Sequence, residues 1–366
     1  LNLHRLTLTD FRNYRRCVWE PSATLSVLTG ENGSGKTNFL EALSLLAPGR
    51  GLLGSPAHML PRHGTTQWGV AAHLEREGQQ FQLSTGLTEG RGRRIFLLDG
   101  ERTRTMAEIA RLYSCVWLTP QMERLFLEGA GSRRRFLDRL TVALLPDHTQ
   151  QLMAHERSVM SRNRILLEQP DETAWLTSLE ESISRHAVAI TAARLHLLET
   201  LEETPFGNEA FPQTLLELHC PIATALKASP ALEVEDKLRH ALQQSRLQDK
   251  ARKSTSIGAH RADMSLRDAM TGRQAAHSSS GQKKIMLLSV ILSHAHAISR
   301  VWGQAPVILL DEPLTHLDER RRIILMDSLS ALKTTTILTG TEAEPFSSIR
   351  NIAAFFHVQN GALHPA

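Results

Sequence analysis

The sequence predicts an α/β fold whose core is split by a helical insertion, and three observations carry that reading. Residues 1 to about 120 hold short apolar runs at 25–29, 68–74, 81–87, 94–98 and 115–118, separated by Gly, Thr and charged turns, as strands are. From 121 to 255 the spacing turns helical, at 132–145, 148–168, 172–203 and 235–253. From 256 to 366 the alternation returns, with a helix near 281–300, a strand at 306–310, a helix at 318–332, a strand at 335–339 and a last strand near 353–358. The expected organisation is one α/β lobe built from 1–120 and 256–366, and a helical lobe at 121–255.

Each element has a local reason. The opening Leu1-Asn2-Leu3-His4-Arg5-Leu6-Thr7-Leu8 alternates, which predicts a strand rather than the unbroken apolar stretch of a signal peptide. Strand 25–29 leads to a helix from Lys36 to about Leu46, with Phe39, Leu40, Leu43 and Leu46 on one face. In 172–203, Trp175, Leu179, Ile183, Ile190, Leu197 and Leu201 form an apolar stripe. Pro146, Pro170, Pro205, Pro212, Pro221 and Pro230 interrupt the middle, so no long coiled coil is expected. No run approaches the ~20 apolar residues of a membrane span, so no membrane partner is expected.

Composition narrows the function classes. With 41% apolar and 22% charged residues the chain is ordinary for a globular protein. A net charge of +4, from 42 basic and 38 acidic residues, permits nucleic-acid binding without requiring it. Aromatics at 5% argue against a surface of base-stacking platforms. The basic residues do cluster, at Arg12, Arg15 and Arg16, at Arg91, Arg93 and Arg94, at Arg133, Arg134 and Arg135, and at Lys250, Arg252 and Lys253. Cysteines at 17, 115 and 220 suit neither a disulfide framework nor a metal site, and fit a reducing cytoplasm. The histidines form no HExxH pair, and His294 and His296 point to different helix faces.

The chemistry lies in segments far apart in sequence. Gly30-Glu31-Asn32-Gly33-Ser34-Gly35-Lys36-Thr37 fits G-x-x-x-x-G-K-[ST], preceded by a strand and followed by a helix. Its glycines let the backbone approach phosphates, and the N–H groups at the helix start hold the anion. Lys36 is expected on the β- and γ-phosphates of ATP, and Thr37 on Mg²⁺. Val307–Leu310 reads as a buried parallel strand ending in Asp311-Glu312. Both carboxylates then belong at the strand's carboxyl end, facing the phosphate loop, with Asp311 supporting Mg²⁺ and Glu312 as general base.

Ser278-Ser279-Ser280-Gly281-Gln282, some 30 residues before the acidic strand, resembles the signature motif of ABC-type ATPases. That resemblance implies that Ser279, Gly281 and Gln282 address the γ-phosphate held by a second subunit, and that Asp318 in His316-Leu317-Asp318 lies at the dimer seam. The same motif read alone is a helix cap.

Across almost the whole length the chain resembles the RecF family, compact DNA-repair members of the ABC/SMC ATPases. The residues that carry this are Phe11-Arg12-Asn13-Tyr14, Gly30–Ala42, Arg133–Asp138, Arg162–Leu167 and Gly258–Asp263. Ala259 and Ala262 depart from the family's Gly-Pro-His-Arg-Asp-Asp. Gln121 stands where the family tends to carry an acid and could serve as the Q-loop ligand of Mg²⁺ or water. Thr339-Gly340-Thr341 stands where transporter ATPases carry a switch histidine. The fold so implied is an ABC-type ATPase head, a P-loop NTPase with an inserted helical lobe. The function implied is cytoplasmic: ATP-dependent dimerisation on DNA at single-strand gaps, with RecO and RecR as partners in recombinase loading, replication restart and the SOS response. Arg133, Arg134 and Arg135 are the candidate DNA contacts, the alternative being a solvated helix face. Arg12 is a candidate for reaching the nucleotide. A transporter ATPase subunit, an SMC/Rad50-type tether and a non-catalytic nucleotide switch are the competing classes.

Overall fold

The computed structural model describes residues 1–366 except 89–92, 104 and 208–209. It divides into two compact units: unit 1 comprises Leu1–Glu123, Thr204–Gln213 and Ser279–Ala366, and unit 2 comprises Arg124–Glu203 and Thr214–Ser278. Unit 1 begins with β1 (Asn2–Phe11), β2 (Tyr14–Trp19), β3 (Leu25–Thr29), α1 (Lys36–Ser44), β4 (Trp68–Arg76), β5 (Gln79–Leu87), β6 (Ile95–Leu98), β7 (Glu101–Arg102), α2 (Met106–Leu112) and β8 (Cys115–Leu118). Unit 2 holds α3 (Ala130–Leu144), α4 (His148–Glu168), α5 (Thr173–Glu203), β9 (Thr214–His219), α6 (Pro221–Leu226), α7 (Ala231–Gln244), α8 (Arg246–Arg252) and β10 (Asp263–Asp268). Unit 1 resumes with α9 (Ser280–Trp302), β11 (Val307–Leu310), α10 (Glu319–Ala331), β12 (Thr336–Thr339), β13 (Ala353–Gln359) and β14 (Ala362–Pro365).

Two sheets build unit 1. One is antiparallel, in the order β2-β1-β4-β5-β6-β7; the other runs β14-β13-β3-β12-β11-β8. In the second, β13, β3, β12, β11 and β8 pair in parallel, so their carboxyl ends lie along one edge of the sheet. Val27, Leu28, Ile308, Leu309 and Leu338 are all fully buried, as expected for strands covered on both faces. Helix α9 is long and apolar enough to cross a bilayer by length and composition, but 72% of its most apolar window is buried inside the protein.

Unit 2 is the expected helical lobe with a two-stranded sheet added. β9 and β10 pair antiparallel, with Leu218 beside Met264 and Leu216 beside Leu266. This pairing draws residues 256–278 into unit 2, so the return to the α/β unit falls at Ser279 rather than at 256. The expected helix 235–253 is two helices, because the Leu242 carbonyl at the break accepts from Arg162 and from Ser245 Oγ. On α5 the buried stripe is Leu176, Ile183, Ile190 and Leu197, at seven-residue spacing. Trp175, one position off that line, is exposed.

The motifs that carried the family resemblance in this unit bind one another. Arg162 is fully buried and donates to Glu180, Asp249 and Thr255. Asn163 Oδ1 accepts from the Thr255 amide and hydroxyl, and the Thr255 carbonyl accepts from His260 and Arg261. Arg194 forms a two-point pair with Asp138 and donates to the Ala259 carbonyl. Burial raises the Asp138 pKa, but bonds from His148 and Arg194 outweigh it and leave the carboxyl below its ordinary value. His155 lies beside His260, 5.4 Å between ring centroids, and burial, with the charges of His260 and Arg194, pushes it down to about 3.

Candidate functional site

The strand order β3-β12-β11 explains the site. The phosphate loop leaves β3, Asp311-Glu312 leaves β11, and β12 between them ends at Thr339. Thr37 Oγ1 donates to Asp311 Oδ2 at 2.9 Å, and Thr339 Oγ1 donates to Asp311 Oδ1 at 2.6 Å. The Glu312 amide in turn donates to Thr339 Oγ1 at 2.9 Å. A continuous line, Thr37–Asp311–Thr339–Glu312, therefore joins the loop to the Asp311 carboxylate and to the main chain of Glu312. Lys36 is buried, its Nζ donating to the Gly30 and Glu31 carbonyls at 2.6 and 2.8 Å. Burial lowers its pKa, opposed by the nearby charges of Glu312 and Asp311.

Two loop glycines are demanded by geometry. Gly30 has φ 145°, and a Cβ there would stand 2.6 Å from the Val358 carbonyl oxygen. Gly35 has φ 115°, and a Cβ there would collide with the Asn13 side chain. The loop is braced from outside by the Phe-Arg-Asn-Tyr segment: Asn13 Nδ2 donates to the Ser34 carbonyl and Tyr14 Oη to that of Gly35. Arg12 pairs with the buried Glu41 of α1 and with Ser55, and so clamps the loop's own helix. Asn32, Glu31 and Gly33 form the exposed crest of the loop.

The arrangement fits a nucleotide with a hard cation. Ser34 Oγ is buried with no hydrogen-bond partner among the described residues, and it lies within the loop. The hydroxyl of Thr37 and the carboxylate of Asp311 are the oxygen donors Mg²⁺ prefers. Gln121 is exposed in the turn Pro120–Arg124 directly after β8, whose Leu118 pairs with Leu310, so it lies at the same sheet edge.

The signature segment starts α9. Ser279 is its N-cap: Ser279 Oγ accepts from the Gln282 amide, and Gln282 Oε1 accepts from the Ser279 amide, a capping box. Ser279 and Gln282 are exposed, and a Cβ on Gly281 would meet only the His316 side chain, at 3.6 Å. Asp318 is exposed and caps α10 through the Arg321 amide.

The arginine clusters separate by environment. Arg133 forms a two-point pair with Asp263, which offsets its position in the first half of α3. Arg134 donates to the Ala262 carbonyl, while Arg135 is exposed and bonds Ser132. Arg94 caps the end of the α1 segment, donating to the Leu45, Ala47 and Gly49 carbonyls, and burial lowers it to about 9. Arg93 is exposed, and Arg91 lies outside the described residues.

A family model described as the RecF/RecN/SMC N terminal domain matches residues 2–364. A DNA replication and repair protein RecF of Mesorhizobium japonicum is 36% identical over 372 residues, covering 100% of this chain and 98% of the relative. One from Agrobacterium fabrum is 37% identical over 370 residues, covering 99% and 98%. The chain belongs to the RecF family. Among solved structures, one described as the recombination mediator protein RecF-ATPrS in the RecFOR pathway aligns with a TM-score of 0.86 at 22% identity, covering 99% of this chain and 97% of that one. An Smc head domain from Pyrococcus furiosus aligns at 0.52 and 14% identity, covering 100% and 96%. The fold is accordingly that of an ABC-type ATPase head.

Set against the RecF family frame, two site residues went unread in the sequence. Thr339 reads in the sequence only as standing in place of a switch histidine, yet it donates to the Asp311 carboxylate and accepts from the Glu312 main-chain amide. Lys284 carries no motif signal, standing two residues past Gln282, yet its Nζ meets the Glu312 carbonyl.

Proposed function

We propose that this protein is an ATP-dependent DNA-binding protein of recombinational gap repair. Two copies close on ATP at single-strand gaps or junctions between single and double strands, and slow hydrolysis reopens them. The carrying observation is the line Thr37–Asp311–Thr339–Glu312 beside the buried Lys36. Lys36 and the loop amides of Gly30–Thr37 bind the phosphates, and Thr37, Asp311 and Gln121 would hold Mg²⁺. When bound, Mg²⁺ offsets the charge of the β- and γ-phosphates. Glu312 accepts the proton of the attacking water at its carboxylate. The exposed turn Ser279–Gln282 of one copy completes the site of the other.

The names of the relatives support the DNA role, and the description of the solved neighbour as a recombination mediator in the RecFOR pathway supports action with RecO and RecR. The proposal extends this to a cytoplasmic place of action, replication restart and SOS induction. Of the three arginines, Arg135 is the exposed one and the most open to phosphate, while Arg133 is paired with Asp263 and Arg134 is held by the Ala262 carbonyl. The test is binding to a gapped duplex by fluorescence anisotropy, with and without ATP, across a salt series. Wild type tightens with ATP and weakens steeply with salt, whereas Lys36→Ala does not respond to ATP. Equal binding with and without ATP, or flat salt dependence, refutes the reading.

A further inference from the structure

Lys284 is the fifth residue of α9, just past its first turn, close to the end where the helix dipole disfavours a cation. Its side chain is only 2% exposed, and burial lowers its pKa against the attraction of Glu123, Glu312 and Asp311. A methionine would fill comparable space without carrying a charge into the interior. The charge meets two groups among the described residues: Nζ donates to the Glu312 main-chain carbonyl at 2.6 Å and stands 4.0 Å from Glu123 Oε1. Glu123 belongs to the same short turn as Gln121. Glu312 itself has φ 49°, a left-handed conformation uncommon for a residue with a side chain. Its peptide groups are gripped on both sides, the amide by Thr339 from the sheet and the carbonyl by Lys284 from the helix.

We propose that Lys284 is a positioning residue that couples the signature turn of α9 to Glu312 of the same subunit. The inference rests on Glu312 being the general base of ATP hydrolysis. Gly281 and Gln282 stand within one turn of Lys284 on a single helix, and Ser279 caps that helix. A second copy's nucleotide pressing on that turn shifts Nζ, and the Glu312 carbonyl moves with it. Each subunit thus adjusts its own carboxylate according to whether its signature turn is engaged.

The test compares Lys284→Met with wild type in single-turnover ATP hydrolysis, with the Kd for a fluorescent ATP analogue, the thermal midpoint and the ATP-dependent mass measured on the same samples. The expected result is a hydrolysis rate at least tenfold lower, with Kd within about twofold and dimer formation intact. In a Glu312→Gln background, Lys284→Met then causes no further loss, because the group it positions is gone. Lys284→Gln repeats the experiment if the methionine variant does not fold. An unchanged rate, a matching loss of nucleotide affinity, or an equal further loss in the Glu312→Gln background overturns the coupling while leaving the proposed activity standing. A wild-type chain that hydrolyses no ATP overturns the activity and the coupling together.

Discussion

The two units employ the same residue types to opposite ends. In unit 1 the motif side chains keep unused bonding capacity: Lys36 rests on carbonyls of its own loop, Ser34 Oγ has no partner among the described residues, and Glu312 sits in a left-handed conformation costing about 1–3 kcal/mol. In unit 2 the motif side chains saturate one another, Arg162 with Glu180 and Asp249, Arg194 with Asp138, and Arg133 with Asp263. A motif left open marks a place built for a ligand; a motif closed on itself marks a scaffold. The difference also shows why a run of arginines is ambiguous until its partners are known.

The sharpest way to break this comparison is to delete one cation from each unit. Arg162→Ala leaves Glu180 and Asp249 buried beside lost partners, and destabilises unit 2 by about 3–5 kcal/mol. Urea unfolding followed by tryptophan fluorescence should show that loss, with ATP affinity of the folded fraction unchanged. Lys36→Ala should behave in reverse, abolishing ATP binding with little effect on the unfolding midpoint. Similar losses of both properties in both variants would erase the distinction.

A smaller effect comes from His155. Its folded pKa lies near 3 against an ordinary 6.5, so the unfolded chain takes up a proton that the folded chain refuses. Stability is therefore full above pH 6.5 and falls as the pH drops toward 3. At pH 5 the contribution of this residue is a loss of about 2 kcal/mol. His155→Leu should flatten the pH dependence of the midpoint between 7 and 5, and an unchanged slope would place the acid sensitivity elsewhere.

The smallest effect separates neighbours. Arg133→Ala should cost about 1 kcal/mol of stability, its partner Asp263 being partly exposed, without changing the salt dependence of DNA binding. Arg135→Ala should leave the thermal midpoint in place and lower the slope of log affinity against log salt by about one. If Arg133→Ala lowers that slope instead, its pair with Asp263 opens on DNA.

Much of unit 1 was legible because buried parallel strands write continuous apolar runs, as Val307–Leu310 does, and because a phosphate loop requires glycines at Gly30 and Gly35. Helix α2 was overlooked because seven residues give too little periodicity, although Thr105 and Glu108 carry a readable start signal: Thr105 Oγ1 accepts from the Glu108 amide. The β9–β10 pair joins short segments about 50 residues apart, each with one or two fully buried side chains, so no local pattern announces it. Arg133 reads as surface until Asp263, 130 residues away, is seen beside it. Thr339 and Lys284 act on main-chain and carboxylate groups of Asp311-Glu312, and only the strand order β3-β12-β11 and the placement of α9 bring them there.

The central claim is that the open site of unit 1 is closed by the signature turn of a second copy. Light-scattering mass of Glu312→Gln with ATP on a gapped duplex tests it most directly, with Glu312→Gln/Gly281→Asp as the paired sample. The account predicts a stable dimer on DNA for the first and a monomer for the second. A Glu312→Gln variant that stays monomeric with ATP, or a double variant that dimerises equally well, would contradict it.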